Sequence, residues 1–425
     1  MAAMRSGDDR TDASNGDSAR VRAQYEAHPY PARNPRDEAK RLVEGSPSGL
    51  AEFRHYLFAG GQTMPRPLRV LVAGGGTGDA TIMLAQQLLD AGWPAEVTYL
   101  DLSTAARAIC ESRAAARGLT NIRFVTGAIE DLPTLAPGPF DYIDCCGVLH
   151  HLASPEAGLA QLAGVLAPHG GMGIMVYGAL GRRGVYDAQA MLRALDDGGS
   201  DAARLDLARK LLKQLPATNW LRKNPGIGDH VAGGDAGLYD LLLHVRDRAY
   251  RVPELHALVD SAGLAIVTMI EPWRYNPARY VTDPAILKRL EAMGPIERAS
   301  FAELLTGNIK THIAYLVRAT ERDGRTASFD DSTMVPVLKG IDGAALARGL
   351  KPGAGITIET DGMRTRLPLP PRAGPILALI DGQRSIAGIV AALAGGSDQA
   401  RAAADVRATL DTFSELNKVF LVVRD

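Results

Sequence analysis

The sequence has few cysteines, almost no net charge and no long apolar run. Its 425 residues include only Cys110, Cys145 and Cys146 as cysteines, too few for a disulfide framework and spaced unlike any zinc signature. We therefore expect a reducing, cytoplasmic setting. The formal net charge of −1 provides no overall field toward nucleic acid or an anionic membrane, which disfavours a polynucleotide substrate. No stretch of about 18 apolar residues occurs, so we expect no membrane span.

The N-terminus also lacks an apolar run. Residues 1–20 are polar and carry both charge signs, which predicts a disordered tail and not a signal peptide. Residues 21–66 combine aromatic residues with prolines, as in YEAHPYP, and include a predicted helix around 50–58. We interpret them as an N-terminal lid segment.

The sequence is rich in alternating strand and helix patterns. Apolar strands are predicted at 68–73, 96–103, 122–129, 140–149 and 172–178, separated by helices or turns. Such alternation is typical of a parallel sheet covered on both faces.

The same pattern resumes after an interruption. Strands at 264–272 and 311–319 bring the total to seven and complete a doubly wound α/β domain over 67–320. The stretches 181–250 and 275–310 are predicted to be helical insertions, placed where they could cover a site or form a homodimer face.

The C-terminal part has a different texture. Residues 321–333 are polar and turn-rich, which predicts a linker. In 334–425, a hairpin turning at Asp361-Gly362 is followed by three helices and a final strand, which favours a winged-helix-like domain. From Arg372 onward this part has six basic and six acidic residues, so it lacks the basic footprint of a DNA-binding module.

The segment VLVAGGGTGDAT, at 70–81, carries the main chemical signal. It has no lysine, so it is not a phosphate-binding P-loop. A dinucleotide-binding turn needs a glycine where Asp79 stands, and that carboxylate would oppose a pyrophosphate. The remaining pattern, Gly74, Gly76 and Gly78, bends the backbone around a ligand without phosphate, or forms a structural turn.

Asp101 ends the second strand, in TYLDLS. An ionised carboxylate there can accept hydrogen bonds from both hydroxyls of a ribose. It could instead cap the next helix, a role open also to Ser103 and Thr104.

The blocks VLVAGGGTG, YLDLS, FVTGAIEDLP, FDYIDCCGVLHHL and GGMGIMVYG, in this order, resemble those of class I, Rossmann-like methyltransferases that depend on S-adenosylmethionine. The resemblance covers roughly 68–180 and implies S-adenosylmethionine as the cofactor. It implies cofactor contacts from the glycine loop, the second strand end, the segment after strand three and the end of strand four: Ala73, Gly74, Gly75, Gly76, Gly78, Asp101, Leu102, Ala128, Ile129, Glu130, Cys146 and Gly147. Tyr25 and Tyr30 could fold over the cofactor, or simply anchor the chain end.

Two positions depart from the family pattern. The acid often found late in the first strand is Val72 here, and the acid that often receives the adenine amino group is Ala128. Glu130, Asp131 or a backbone carbonyl would have to replace the latter.

Methyl transfer needs alignment more than acid–base chemistry, so a general base is optional. His150 and His151 follow strand four, at the edge where ligands of open α/β sheets bind, or they cap the next helix. Asp240, His244 and Asp247 share one helical stripe, which could hold a base and its orienting carboxylate, two or three metal ligands, or ordinary ion pairs on an exposed face. We assign no metal.

The predicted function is methyl transfer to an unidentified N, O or C nucleophile of a protein side chain or a small molecule. The layout of a methyltransferase, a helical middle and a winged-helix-like end also resembles multidomain bacterial protein lysine methyltransferases. The alternatives are a nicotinamide-dependent oxidoreductase and a non-catalytic regulatory or scaffold protein that binds S-adenosylmethionine.

Overall fold

The centre of the molecule is a large twisted sheet. The computed structural model describes residues 19–351, 353–396 and 398–424; most of the predicted N-terminal tail therefore lies outside the described residues. The strands of the sheet are β1 Leu68–Ala73, β2 Ala95–Asp101, β3 Ile122–Thr126, β4 Phe140–Cys146, β5 Leu166–Gly178, β6 Ala249–Tyr250, β7 Leu264–Met269 and β8 Thr311–Arg318.

Seven of these strands lie in the order β3-β2-β1-β4-β5-β8-β7, and the two-residue β6 pairs with β5 beside this path. The pairs from β3 to β5 are parallel, whereas β8 runs antiparallel to both β5 and β7. The predicted α/β architecture with a large parallel sheet is therefore confirmed. The order reverses between β1 and β4, and ligands of open α/β sheets bind at such a point, beyond the carboxyl ends of the strands.

Helices cover both faces of the sheet and create two apolar cores. The helices of the first part are 19–27 (α1), α2 Leu50–Leu57, α3 Asp79–Asp90, α4 Thr104–Arg117, α5 Leu132–Leu135 and α6 Pro155–Gly164. The Ser103 hydroxyl caps α4 by accepting a hydrogen bond from the Ala106 amide at 3.1 Å. Asp101 is therefore not the capping side chain of this helix.

Two groups of helices interrupt the strand order. The first lies between β5 and β6 and has its own apolar core; its helices are α7 Val185–Leu195, α8 Asp201–Gln214, α9 Trp220–Lys223, α10 Asp229–Ala232 and α11 Gly234–Leu242. After α12 Val252–Ser261 and β7, the second comprises α13 Pro284–Glu291 and α14 Pro295–Thr306.

The C-terminal part has a separate apolar core. Its elements are β9 Val335–Leu338, α15 Gly343–Gly349, β10 Ile356–Thr360, β11 Met363–Leu367, α16 Ala373–Leu379, α17 Ile386–Ala394, α18 Gln399–Glu415 and β12 Val419–Val422. β10 and β11 form the predicted hairpin, and both Asp361 (φ 48°) and Gly362 (φ 79°) adopt the positive φ that such a turn needs.

The C-terminal part is joined to the sheet through α2. β12 pairs with β9, and the Leu421 amide donates to His55 Nδ1 on α2 at 3.1 Å. In the segment 321–333, the Ala327 amide donates to the His55 carbonyl at 2.8 Å. This polar segment therefore packs along α2 instead of crossing open solvent.

One strand boundary differs from the sequence prediction. β5 starts at Leu166 and includes Pro168–Gly171, which the turn-like sequence PHGG places in a loop. His169 adopts a left-handed conformation (φ 59°), and the pairing of β4 with β5 shifts register between Phe140 and Tyr142. A bulge therefore lets the strand continue through turn residues. Among the helices of the described residues, none has both the length and the apolar character needed to cross a bilayer.

Candidate active site

A cavity of about 390 Å³ opens beyond the carboxyl ends of β1, β2, β4 and β5, where the strand order reverses. It brings together many of the residues singled out by sequence: Tyr25, Tyr30, Gly74, Gly75, Gly76, Asp101, Leu102, Ile129, Cys146, Gly147, His151 and Asp240. The remaining predicted residues are not part of its wall: Ala73, Gly78, Ala128, Glu130, His150, His244 and Asp247. The sequence motifs and the cavity therefore coincide in one place.

The glycine loop forms the floor of this cavity. Gly74 and Gly76 have φ of 76° and 52°, a region that side chains other than glycine rarely adopt. A Cβ on Gly74 would lie 2.3 Å from Val148, so the close packing of the loop on the β4 end requires glycine. Gly78 has a different role, because its Cβ would lie 2.4 Å from Cys110 under α4. It allows α3 to pack and does not face the ligand.

Asp101 stands at the end of β2 and faces the cavity. Its Oδ2 accepts the Gly76 amide at 2.7 Å, and its Oδ1 accepts the Ser103 amide at 2.8 Å. Each carboxylate oxygen can accept a second hydrogen bond, so the group can still bind two ligand hydroxyls. Burial raises the pKa of Asp101, and the two amides act in the opposite direction. The residue therefore fixes the glycine loop and offers acceptors to the cavity.

The segment after β3 contributes fewer residues than predicted. Gly127 and the buried Ile129 line the cavity, whereas Ala128 does not and Glu130 is exposed. In the short helix at 129–131 the Ile129 side chain turns inward and the acid turns outward. Ile129 therefore adds an apolar surface to this side of the cavity.

The N-terminal segment closes the cavity from above. The Thr77 hydroxyl in the glycine loop donates to the Pro31 carbonyl at 2.7 Å, and the Tyr30 carbonyl lies 3.0 Å from the position of a Cβ on Gly76. At the other side, Glu26 accepts the Thr104 amide at 2.7 Å at the start of α4. Tyr25 and Tyr30 are thus held over the loop, as the lid hypothesis requires.

A network of ion pairs fastens this segment to the α/β core. Asp79 accepts from Arg33 Nε at 2.8 Å and from Arg113 Nη1 at 2.7 Å. Burial alone would raise the pKa of Asp79, but the two guanidinium groups hold it below its usual value. Arg113, fully buried, also donates to Glu38 at 2.6 Å, and Glu38 pairs with Arg117. Asp79 therefore anchors the N-terminal segment to the α/β core.

A polar cluster lies at the β4–β5 end of the cavity. Tyr25 Oη is 3.1 Å from His244 Nε2 and donates to Asp240 at 3.4 Å, while Tyr177 Oη donates to the other Asp240 oxygen at 3.3 Å. His151 stacks on His244 with a ring-centroid distance of 3.8 Å. The insertion, the N-terminal segment and two strand ends thus meet in a single group.

Two other predicted residues, His150 and Asp247, lie behind this cluster. His150 is fully buried, packs on Tyr177 at 3.9 Å between ring centroids, and finds no hydrogen-bond partner for either ring nitrogen among the described residues. Burial holds its pKa well below the usual value, so it remains neutral. Asp247 pairs with Arg182 at 2.9 Å and follows the end of α11. These two residues support the wall of the cavity but do not face it.

His151, Asp240 and His244 are close enough together to be considered as metal ligands. Their geometry does not fit an ion. The two imidazole planes are only 20° from parallel, so the lone pairs in those planes do not converge on one point. His244 Nδ1 also accepts the Arg246 amide at 3.0 Å, which leaves the proton on Nε2 of the neutral ring.

The charge of the cavity wall indicates the kind of ligand. Five carboxylates face it, from Glu44, Asp79, Asp101, Asp144 and Asp240, and no lysine or arginine of the described chain does. A pyrophosphate would meet only like charge there, whereas a ligand with a sulfonium and an ammonium group would be attracted. The residues present therefore fit S-adenosylmethionine and not a nicotinamide dinucleotide.

Sequence reasoning missed many residues of this wall, and Asp144 and Ser48 are the most informative of them. Asp144 lies in the apolar strand β4 and accepts a hydrogen bond from the Ser48 hydroxyl at 2.7 Å. An acid inside an apolar strand is itself a signal of function. Ser48 gave no signal, because only tertiary packing brings it to the cavity.

Comparisons with known proteins show which family the chain resembles. A family model described as a methyltransferase domain matches residues 70–170. The Synechococcus protein "Uncharacterized protein syc1184_c" is 31% identical over 309 residues, which are 70% of each chain. The tRNA 5-carboxymethoxyuridine methyltransferase of Escherichia coli K12 is 34% identical over 118 residues, 28% of this chain and 43% of that enzyme.

The fold is shared with PKMT2 from Rickettsia typhi, with a TM-score of 0.62 and 14% identity over 88% of this chain and 75% of that one. The structure of PKMT2 in complex with AdoHcy gives a TM-score of 0.59 and 16% identity, over 89% of this chain and 76% of that one.

Fold, cavity and family match together define a class I methyltransferase that depends on S-adenosylmethionine. The chain belongs to this family and is an enzyme of that class, and it shares a common family with the Synechococcus protein. The prediction from the glycine loop and Asp101 is confirmed at the level of family, activity and cofactor.

Proposed function

We propose that this enzyme methylates an N, O or C nucleophile of a protein side chain or a small molecule, and that the nucleophile meets the methyl group beside His151. The observation that carries this proposal is the hydrogen-bonding state of His151. Its Nδ1 lies 2.8 Å from the Arg246 carbonyl oxygen, which can only accept, so Nδ1 carries the proton. Nε2 of the neutral ring then has a lone pair, and His151 lines the cavity.

Arg246 also fixes the tautomer of His244, but in the opposite way. The Arg246 amide donates to its Nδ1, so its Nε2–H donates to Tyr25 Oη and leaves the Tyr25 proton for Asp240. Burial lowers the pKa of His244 well below the usual value, which keeps this arrangement neutral. In this proposal, His244 and Tyr25 hold the cluster in place and His151 is the proton acceptor.

The cofactor, when bound, supplies a methyl group on a sulfonium that is already activated. The chain has to align an acceptor with it and remove a proton from that acceptor. His151 Nε2 would take up the proton that the acceptor loses when the bound cofactor supplies its methyl group. Such general-base assistance contributes about a hundredfold or more to a rate.

Two observations bear on the class of acceptor. The likeness to PKMT2 covers 88% of this chain and so extends beyond the strands of the methyltransferase core. It supports the multidomain layout on which the expectation of a protein side chain rests. The cavity is closed above by the N-terminal segment and at one end by the insertion, which favours a slender side chain or a small molecule. Nucleic acid stays disfavoured, because no lysine or arginine of the described chain faces the cavity.

The C-terminal part supports a further proposal. It follows the hairpin with three helices and a closing strand and has balanced charge. We propose a winged-helix-like unit with a protein-contact or substrate-presenting role. A cytoplasmic setting, a homodimer and domain limits at 67–320 and 334–425 remain predictions as well.

The test compares His151→Gln with His150→Phe. Labelled methyl transfer from S-adenosylmethionine is first sought in cell extract with the wild-type enzyme, and calorimetry measures cofactor affinity of each variant. We expect His151→Gln to lower the rate about a hundredfold with unchanged affinity. His150→Phe keeps the buried ring and should keep the rate. Equal losses in both variants, or none in His151→Gln, would refute the role of His151.

A further inference from the structure

Asp144 is a buried acid whose position relates directly to a departure from the family pattern. It lies in β4 with 1% of its surface exposed, and it lines the cofactor cavity. In the pairing of β1 with β4, its register partner is Val72, the residue that stands where the family often has an acid. Register partners of neighbouring parallel strands point to the same face and lie about 4.8 Å apart.

The carboxylate of Asp144 is only half satisfied. Its Oδ2 accepts from the Ser48 hydroxyl at 2.7 Å, whereas its Oδ1 has no hydrogen-bond partner among the described residues. The groups that face it from the packed elements carry no positive charge: Ser48 of the N-terminal segment, Glu52 of α2, Val72 of β1, Tyr142 and Cys146 of β4, and Tyr315 of β8.

A carboxylate buried without a cation is costly, and such groups are usually neutralised or paired with one. No described residue supplies the cation here. Binding of a positively charged group from the ligand would therefore relieve an unfavourable charge in the free enzyme.

We propose that Asp144 is the subsite for the ammonium group of S-adenosylmethionine. This acid on β4 would take the place of the acid that is missing from the neighbouring strand β1 at position 72. The inference rests on the assigned cofactor and deepens it. The glycine loop lies directly after β1, and Ala80 and Met83 of α3 line the same cavity. The amino-acid end of the ligand would thus meet the loop, α3 and Asp144 together.

The ionisation of Asp144 provides a signature that a structural role would lack. Burial raises its pKa to about 7, while the Ser48 and Tyr142 hydroxyls and the Cys146 backbone act in the opposite direction. Only the ionised form attracts an ammonium group. The affinity for the cofactor should therefore fall as the pH drops through about 7, by about tenfold per unit below it.

The experiment titrates the full chain with S-adenosylhomocysteine and, separately, with 5′-methylthioadenosine, which lacks the amino-acid end. In Asp144→Asn, which can still accept from Ser48, we expect a ten- to hundredfold loss of affinity for the first ligand, about the worth of a charged hydrogen bond. Affinity for the second should stay unchanged. The dependence on pH between about 6 and 8 should also disappear.

A double variant that moves the carboxylate from β4 to β1 is the decisive control. The double change Val72→Asp with Asp144→Asn returns a carboxylate to β1 and should restore most of the affinity for S-adenosylhomocysteine. Asp141→Asn, at the opposite end of β4 and bonded to the Arg69 amide, should change nothing. Equal loss of both ligands in Asp144→Asn, or no loss, would overturn the inference. The readout is binding, so it is independent of the acceptor chemistry assigned to His151.

Discussion

The two sides of the cofactor cavity are built in different ways. The strand side consists of the glycine loop, Asp101 and the end of β4, all within the continuous α/β segment from 68 to 147. The closing side joins Tyr25 to Asp240 and His244, which are 215 and 219 positions away in the chain. The strand side forms once the sheet forms. The closing side needs the N-terminal segment and the insertion to dock as well.

This difference separates affinity from catalysis. In the proposed site, the hydroxyls and charges of the ligand would meet backbone turns and carboxylates at strand ends, which the sheet holds rigidly. The groups around His151 lie on the N-terminal segment and the insertion, which are far apart in the chain. Contacts between such distant segments are lost more easily than contacts within the sheet. Changes on the strand side should therefore weaken cofactor binding, and changes on the closing side should affect stability or rate.

The largest effect is expected for Asp101→Ala on the strand side. The substitution removes the acceptor for ribose hydroxyls and for the Gly76 amide, so affinity for S-adenosylhomocysteine should fall about 100- to 1000-fold. Calorimetric titration measures this loss. Asp131→Ala, an exposed acid beyond β3, is the matched control and should bind normally. If Asp101→Ala still bound S-adenosylhomocysteine tightly, Asp101 would not be a cofactor-binding residue. The strand side would then not be the side that determines affinity.

A smaller loss is expected for Glu38→Gln, in the tether of the lid. Glu38 is buried and pairs with the fully buried Arg113 and with Arg117. Breaking a buried pair leaves charge uncompensated, so urea unfolding should show a loss of about 3 kcal/mol in unfolding free energy. Asp37→Asn breaks only the exposed, solvent-screened pair with Lys40 and should leave the unfolding free energy unchanged. Equal stability of both variants would show that the tether contributes nothing.

The smallest effect is expected for Tyr25→Phe, on the closing side alone. It removes the hydroxyl that links His244 to Asp240, so unfolding free energy should fall by about 1 kcal/mol. Cofactor affinity should change less than about threefold, and the rate of methyl transfer should fall more than the affinity. A loss of affinity as large as that of Asp101→Ala would show that the two sides are not distinct.

The sequence by itself determined the parallel sheet, the family and the part of the cavity wall that follows the strand ends. Apolar strands, glycine turns and helix patterns are local signals, and Gly74, Gly76 and Asp101 follow their strands directly in the chain. Because parallel strands bring their carboxyl ends to one edge, these residues meet as soon as the order of elements is known.

Only the tertiary structure decided how individual side chains are used. Gly78 belongs to the glycine pattern but serves helix packing. His150 and His151 are neighbours in the sequence, but His150 is enclosed by Tyr177, whereas the Arg246 carbonyl fixes the tautomer of His151. Asp144 lies beside Val72 only through strand register. Such roles depend on contacts between distant segments, and the free energy of those contacts leaves no periodic pattern in the sequence.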